Sequence, residues 1–540
     1  MQRFFRRIDA LNDLTTENRK ALWLERIAFI FLTIMILFAP HSIAVTQSAW
    51  LIGMLASALR LIFKPRPKFK FGALDYALFA FFLWSVVSSV FSYAPDISLD
   101  KLRGVSLFLV FYFVYSNLKT ARAARFLAFA LIISATVAAA WMPLERIIGR
   151  GVEVHGLSSD SPLLKARRID EGQPVSEGKT IVQVGRRKIY SPEGLVAEIE
   201  RQDASRLVVY HEDFYSTVEV RRADLLAGAT ASQRLGIMDW KRNHNWRAAG
   251  FYGHFTTFAE VLQLILSLAF GIFIAGFSTQ RRKGAKNAEE KKRGLSASLL
   301  FSSSPLLLFC LAAMALALLL TATRASQFAF FVSAAVIVLL GASRKLAWTF
   351  AALALPLAIV GLIYYQQTRG IGFNLQDKST QYRTMMWRDG ARLLTSNAHN
   401  AVFGVGMDSI KRHWRDWDLF DGGREPMGHF HSTLVQLAVE RGLPGLLIWL
   451  TILGIYARTL WRHLKLRIEE ESEIQNPKSK IQNGIVLGCL GALAGFFTSG
   501  LVHYNLGDGE VAMVFYILMG FGIFVCNVQR QKLTKAYARH

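Results

Sequence analysis

Two histidines at the entrance to a long apolar segment are the strongest candidates for chemistry. Residues 427–450 read MGHFHSTLVQLAVERGLPGLLIWL, where His429 and His431 precede the apolar run, Ser432 follows them, and Glu440 interrupts the run further in. Ionisable groups at membrane depth are costly in hydrocarbon and usually face a bundle interior or a wet cavity. The segment therefore predicts the wall of a site. There, His431 is either a general base near neutral pH or a hydrogen-bonded structural residue.

Two arginines near the ends of apolar segments are suited to binding an anion. Arg247 lies in NHNWRAAGFYGHFTTFAE just before one apolar block, and Arg324 lies in LLLTATRASQFAF between two others. A guanidinium offers paired donors to phosphoryl oxygens and stays charged at any ordinary pH. The two residues predict a diphosphate site at the membrane boundary, and interfacial snorkelling is the alternative for each.

The other polar clusters give weaker signals. Asp416 and Asp418 form an Asp-x-Asp pattern that holds a divalent cation in some enzymes, but in the polar run HWRDWDLFDGG they are expected to be solvated turn residues. The spacing of the two histidines cannot place both on one helical face, so they do not predict a shared metal. His503 and Asp508, in HYNLGDGE, either line the same cavity or form a turn. Neither a metal nor a cofactor is predicted.

The apolar residues determine the class of protein. Of the 540 residues, 52% are hydrophobic, and they occur in blocks of about twenty, the length that spans a bilayer. The net charge of +24 comes from short basic runs between these blocks, which is typical of membrane topology signals rather than of nucleic-acid binding. All three cysteines lie inside apolar blocks, so a disulfide framework is not expected. The sequence predicts a mainly α, polytopic membrane helix bundle.

The blocks predict about twelve membrane spans, five in residues 1–148 and the rest in residues 231–540. They cover residues 27–45, 47–63, 73–92, 102–118, 126–144, 254–277, 296–320, 327–342, 346–364, 431–457, 484–503 and 511–527. The basic runs lie in alternate connections between the blocks and in both terminal segments. Cytoplasmic connections carry an excess of Lys and Arg, so both termini are predicted to be cytoplasmic. The long connections 149–250 and 365–430 then lie on the extracytoplasmic side, together with every polar cluster named above.

Residues 149–230 predict a small extracytoplasmic α+β domain. Its β-rich runs alternate with two short helical stretches, SPLLKARRI and SPEGLVAEIE, each opened by Ser-Pro, which supplies a cap and a first-turn proline. The order of elements resembles a PDZ domain, a fold that binds an extended peptide at a sheet edge. The Gly-Asp usual in that fold is replaced by Glu171-Gly172. The alternative is that the domain braces the membrane part or docks a neighbouring subunit.

Five segments in order resemble the O-antigen ligase and polymerase superfamily of bacterial envelope glycosyl transferases. They are WRAAGFYGHFTTFAE, TATRAS, WRDGARLLTSNAHNAVFGVGMDSI, GHFHSTLVQLAVERGLPGL and HYNLGDGE. The resemblance implies a fold of the membrane glycosyl transferase kind in the bacterial inner membrane, an undecaprenyl diphosphate-linked glycan as donor, and metal-independent transfer with inversion. It also implies that Arg247, Arg324 and His431 are essential. The family often has His-Asn where this chain has His431-Ser432, so a hydroxyl stands in place of that amide.

The chemistry of these residue types agrees with the resemblance. Departure of a diphosphate develops negative charge, which two fixed arginines can stabilise without a metal ion. His431 would take the proton of the acceptor hydroxyl as it attacks the anomeric carbon, a contribution typically worth ~10²- to 10⁴-fold in rate.

Several functions and partners remain open at this stage. The prediction is a ligase that transfers a finished glycan to an envelope acceptor such as lipid A core. A polymerase that extends the glycan, or a protein O-glycosylating enzyme, is the alternative. A transporter or a PDZ-bearing membrane scaffold without chemistry is the alternative of another class, although no internal repeat favours a transporter. The expected partners are the lipid-linked donor, a glycan or glycolipid acceptor, membrane lipids, and a peptide or protein at the PDZ-like domain, with no nucleic acid.

Overall fold

The computed structural model is mainly helical, with one sheet. It describes residues 2–67, 71–169, 175–185, 187–211, 214–283, 305–343, 347–349, 352, 378–425, 427–469 and 477–537. Two compact units make up the chain: the first combines Met1–Ala138 with Ala249–His540, and the second is Ala139–Ala248.

Eight helices precede the sheet. They are α1 (Gln2–Asn12), α2 (Arg19–Phe38), α3 (Ile43–Arg60), α4 (Ala73–Val90), α5 (Pro95–Asp100), α6 (Leu102–Val105), α7 (Leu109–Asn117) and α8 (Ala121–Ile148), with a 3-10 turn at Ser106–Phe108. The start of α2 shows why these apolar runs begin where they do: the side chain of Asn18 accepts hydrogen bonds from the N–H groups of Lys20 and Ala21.

The second unit contains a seven-stranded antiparallel sheet. Its elements are β1 (Arg150–Leu157), β2 (Arg167–Arg168), β3 (Thr180–Val184), β4 (Arg187–Lys188), α9 (Pro192–Ile199), β5 (Ala204–His211), β6 (Phe214–Arg221), α10 (Ala231–Leu235) and β7 (Ile237–Asn243). The strand order is β2-β6-β5-β3-β1-β7, with β4 on β3. Val154, Ile181, Leu195, Leu207 and Val209 are among the residues of one buried core beneath the sheet.

The predicted helix SPLLKARRI is wrong. Ser161 accepts hydrogen bonds from the N–H groups of Leu163 and Leu164, which makes a single turn, and the chain then enters β2. The Ser161 hydroxyl also donates to the carbonyl of Leu235 (2.7 Å), and Leu163 is fully buried, so tertiary contacts end the turn. Glu171-Gly172 lie outside the described residues, and the resemblance to a PDZ domain stays a prediction.

The remaining helices belong to the first unit. They are α11 (Phe255–Lys283), α12 (Pro305–Leu320), α13 (Arg324–Gly341), α14 (Lys378–Thr395), α15 (Ala398–Val402), α16 (Ile410–His413), α17 (Thr433–Glu469), α18 (Pro477–Gly500) and α19 (Gly509–Tyr537), with a short turn at Leu419–Gly423 that contains residues of positive φ. In α11, α18 and α19 the apolar windows are 83%, 78% and 89% buried, against 33% in α2, α3, α4, α13 and α17. These three helices form the centre of the unit. Gly271 of α11 lies so close to Gly488 of α18 that an added Cβ would stand 2.3 Å from the Gly488 nitrogen, so the two backbones pack directly together.

The described residues include nine helices that are long and apolar enough to cross a membrane, which supports the polytopic helical class. The predicted count of about twelve is not confirmed. The block at 102–118 is divided between α6, a 3-10 turn and α7. In the block at 296–320 the described residues form α12, which has 16 residues, and residues 296–304 lie outside the described part of the chain. The block at 346–364 lies outside the described residues, apart from 347–349 and 352.

Candidate functional site

His431 lies in the loop that leads into α17 and has a left-handed backbone, with φ of 48°. Residues other than glycine and a few short polar ones rarely adopt this conformation, and it persists where the surroundings enforce it. The backbone N–H of His431 donates to Nδ1 of His429 (3.1 Å), and the two ring centroids are 4.0 Å apart. Among the residues that the structure describes, neither ring nitrogen of His431 makes a hydrogen bond.

A second loop holds the start of α17. The N–H of Thr433 donates to the carbonyl of His503 (3.0 Å), and its hydroxyl lies 2.8 Å from Oδ1 of Asn505. Ser432 is buried, and its hydroxyl accepts a hydrogen bond from the N–H of Val435 (3.4 Å). The serine that departs from the His-Asn pattern therefore serves as a helix cap.

The backbone just before His431 is fixed on both sides by side chains, one buried and one partly buried. The N–H of Phe430 donates to Oε1 of Gln436 (2.8 Å), and its carbonyl accepts from the indole N–H of Trp387 (3.1 Å). Nε2 of Gln436 donates in turn to Oε1 of Glu440 (2.8 Å). The unusual conformation of His431 thus rests on a polar network inside the unit, where each unsatisfied group would be costly.

Glu440 joins three segments of the chain. Its Oε1 also accepts from the backbone N–H of Asp408 (2.9 Å), and its Oε2 accepts from Arg441 (3.2 Å) and from the hydroxyl of Tyr504 (3.4 Å). The Glu440 side chain is 2% exposed. A buried charge of this kind is tolerated only when it is paired and hydrogen-bonded, and Glu440 has both kinds of partner.

The helix α17 is interrupted immediately after Glu440 and Arg441. Gly442 has φ of 69° and ψ of 174°, which interrupts the helical ladder inside a membrane span. The freed carbonyl of Glu440 accepts from the hydroxyl of Ser88 and the N–H of Gly406, each at 3.0 Å, and the carbonyl of Arg441 accepts from the indole of Trp84 at 2.7 Å. Backbone groups at membrane depth must find partners within the protein, and α4 supplies two of them.

Burial lowers the pKa of His431 to about 3, and electrostatic interactions with His429, His503 and Arg383 lower it further. Burial likewise lowers the pKa of His429 to about 4. Both imidazoles are therefore neutral at pH 7 and able to accept a proton. Their protonated forms become favourable only when negative charge arrives beside them.

Arg383 and Lys411 are charged neighbours of the histidines that the sequence did not reveal. Arg383 lies on α14 one turn before Trp387, the residue that holds the carbonyl of Phe430. Lys411 bonds Asp408 (2.9 Å), and its side chain lies beside Gly428. Both occur in a polar stretch where basic residues are expected to be solvated, so only the folded contacts could identify them.

The two predicted diphosphate ligands have different positions. Arg324 is the first residue of α13, in the first unit, and is exposed. Arg247 belongs to the second unit, where its backbone N–H donates to the hydroxyl of Tyr210 (3.5 Å). The joint action of these arginines with His431 stays a prediction.

The remaining predicted residues have clear local partners. Asp508 caps α19 through the N–H groups of Glu510 and Val511, and its Oδ2 accepts from Thr257 (2.5 Å). Asp416 accepts a hydrogen bond from Nδ1 of His413 (2.8 Å). Within the described ranges, no group of three His, Cys, Asp or Glu side chains is arranged to hold a metal ion.

Comparison with known proteins identifies one region of the chain. Residues 307–450 match the family model described as O-Antigen ligase, and this stretch contains Arg324 and His431 but neither Arg247 nor His503. A search of curated proteins found no match. The family match and the apolar helices together support a multi-pass membrane protein with a glycan-transferring function of the ligase or polymerase type.

Proposed function

We propose that this protein is a ligase that transfers a glycan from an undecaprenyl diphosphate-linked donor to a hydroxyl group of an envelope acceptor. The observation that carries the proposal is the arrangement of His431 within the matched region. A buried network holds the residue in a left-handed conformation, and its neutral imidazole is available to an incoming hydroxyl. Strained backbone of this kind is common at functional sites.

The chemical step is a displacement with inversion at the anomeric carbon. The acceptor oxygen attacks the face opposite the diphosphate, His431 takes the hydroxyl proton, and the bond between the anomeric carbon and the phosphate oxygen breaks. Arg247 and Arg324 bind the diphosphate and stabilise the charge that develops on its oxygens. The same negative charge favours the protonated form of His431, so donor binding itself strengthens the base that burial had weakened.

The site is proposed to face the extracytoplasmic side, with both termini in the cytoplasm. The support is the distribution of basic runs, because cytoplasmic connections carry an excess of Lys and Arg. Single cysteines introduced at Ser191 and Ser479 should be labelled from the outside and from the inside, respectively. Labelling in the opposite pattern would place the histidines on the side where the lipid-linked donor is assembled and would overturn the proposal.

Two experiments test the function. Purified, correctly inserted protein should transfer glycan from a defined lipid-linked donor, and His431→Ala should abolish transfer while sparing donor binding. A deletion strain should accumulate lipid-linked polymer and uncapped acceptor. Single-repeat glycan in that strain would indicate a polymerase instead, and near-normal turnover by His431→Ala would refute the role of this residue as the base.

A further inference from the structure

A third histidine of the first unit is paired with a carboxylate inside the helix bundle. Nδ1 of His503 lies 2.9 Å from Oε1 of Glu260, and the two side chains are only 11% and 3% exposed. A carboxylate accepts, so Nδ1 of His503 carries the proton, and Nε2 of the neutral ring keeps its lone pair. With Glu260 ionised, the pairing orients the imidazole as a proton acceptor whose positive form lies beside a negative charge.

The backbone of His503 contacts the segment that carries the proposed base. Glu260 lies on α11, and His503 lies in the connection between α18 and α19. The carbonyl of His503 accepts the N–H of Thr433, two residues after His431, at 3.0 Å. Consistent with this proximity, electrostatic interaction with His503 contributes to the lowered pKa of both His429 and His431.

A protonated His431 is unfavourable once the donor diphosphate has left the site. Once the donor diphosphate leaves with its lipid, a protonated His431 would stand in a buried place beside other positive groups, including Arg383. Burial disfavours that charge, and none of these neighbours compensates it. His503 differs because Glu260 lies directly behind its ring.

We propose that His503, supported by Glu260, receives the proton that His431 removes from the acceptor hydroxyl. The inference rests on the proposed function. As the new carbon–oxygen bond forms, the electron pair of the O–H bond stays on the acceptor oxygen and the proton passes to His431. The proton then moves to Nε2 of His503, which returns His431 to its neutral form, and it is finally released to water. No redox change or additional reactant is required.

Substitution of the His503 side chain tests its role as a proton acceptor and leaves the hydrogen bond of its backbone carbonyl in place. The variant His503→Gln keeps a side-chain amide that can bond Glu260 and leaves the backbone carbonyl that holds Thr433, but it cannot take up a proton. We expect kcat to fall on the order of ten- to a hundredfold. The KM values for donor and acceptor should stay within about twofold, because ground-state binding is unchanged. The solvent deuterium isotope effect on kcat should rise, because proton removal becomes rate-limiting.

Glu260→Gln provides a second variant. It should lower kcat in the same direction and by a smaller factor, because the protonated imidazole loses its counter-charge while the ring remains. His413→Gln is the matched control, since Nδ1 of His413 lies 2.8 Å from Oδ2 of Asp416 in the same unit, outside the proposed relay. The control should behave as the wild-type protein does.

The outcomes distinguish the relay from the proposed function. Wild-type kcat and isotope effect in folded His503→Gln or Glu260→Gln, with an inactive His431→Ala, would overturn the relay alone. A fall in kcat with an unchanged isotope effect and raised KM values would assign His503 a structural role and would also overturn it. An active His431→Ala would refute the function on which the inference rests.

Discussion

Replacement of Gln436 by leucine tests whether the buried network positions His431. Gln436 is fully buried; it accepts the N–H of Phe430 and donates to Glu440, each at 2.8 Å. Leucine has a similar size but neither polar group. The substitution therefore removes one constraint on the residue that precedes His431 and leaves the helix α17 otherwise intact.

The expected magnitude follows from the groups left behind. The N–H of Phe430 would lose its partner inside the unit, whereas Oε1 of Glu440 would keep the N–H of Asp408. A buried donor without a partner costs about 1–3 kcal/mol. The loop can escape that cost only by leaving the conformation that presents His431. A bias of about 2 kcal/mol against the active conformation corresponds to roughly a thirtyfold loss of rate.

The assay compares kcat for transfer with the melting temperature of the purified protein. Gln529→Leu is the matched control, because Gln529 is also buried and its Nε2 donates to Oε1 of Gln482 at 2.7 Å, near the opposite end of α18 from His503. Both variants should melt at lower temperature, but only Gln436→Leu should lose kcat. Equal kcat values in the two variants, with both destabilised, would refute the positioning argument.

Three further predictions address charge, pH and the inserted sheet. Arg247→Lys and Arg324→Lys should each lower kcat/KM for the lipid-linked donor about tenfold or more, because lysine keeps the charge but loses the paired donors; full activity of both would leave interfacial snorkelling as the better explanation. Folding lowers the pKa values of His429 and His431 to about 4 and about 3, whereas an unperturbed histidine has a pKa of about 6.5. Between these folded values and about pH 6.5, the unfolded chain therefore binds more protons than the folded chain. The free energy of unfolding therefore rises with pH across that range. Between pH 7 and pH 5, the melting temperature should fall less in a His429→Gln, His431→Gln double variant than in the wild type. An equal fall in both proteins would contradict the lowered pKa values. Replacing residues 150–243 by a short linker, which keeps Arg247, should leave transfer in vitro largely intact, because the sheet has its own core. Loss of transfer in a correctly inserted variant would make the sheet itself part of the catalytic machinery.

Apolar length predicted most of the long helices, because a span requires a continuous run that composition reveals directly. The prediction was weakest where tertiary contacts compete with local preference. The block at 102–118 is mostly apolar, yet the structure divides it between α6, a 3-10 turn and α7. The strand β7 was missed because IMDWKRN is mostly polar, and its pairing with β1 appears only when the sheet forms.

The candidate site also contains some residues that the sequence identifies and others that only the folded structure identifies. Its two histidines and the interruption at Glu440 are visible in the sequence, since ionisable residues beside or within an apolar run are conspicuous. Trp387 and Tyr504 are not, because each approaches the site through one hydrogen bond to a residue distant in the chain. Spacing rules relate residues a few positions apart and carry no information about such pairs.

The contacts of Glu440 explain why a carboxylate, which is costly to bury, lies near the proposed base. It binds the side chain of Gln436, the backbone of Asp408 and the hydroxyl of Tyr504, and so it fixes the helix, the preceding loop and the last connection relative to one another. An apolar side chain could fill the same space but could not impose one arrangement on three polar partners. Because Gln436 transmits that arrangement to Phe430, the geometry of His431 depends on a charge that need never touch the substrate.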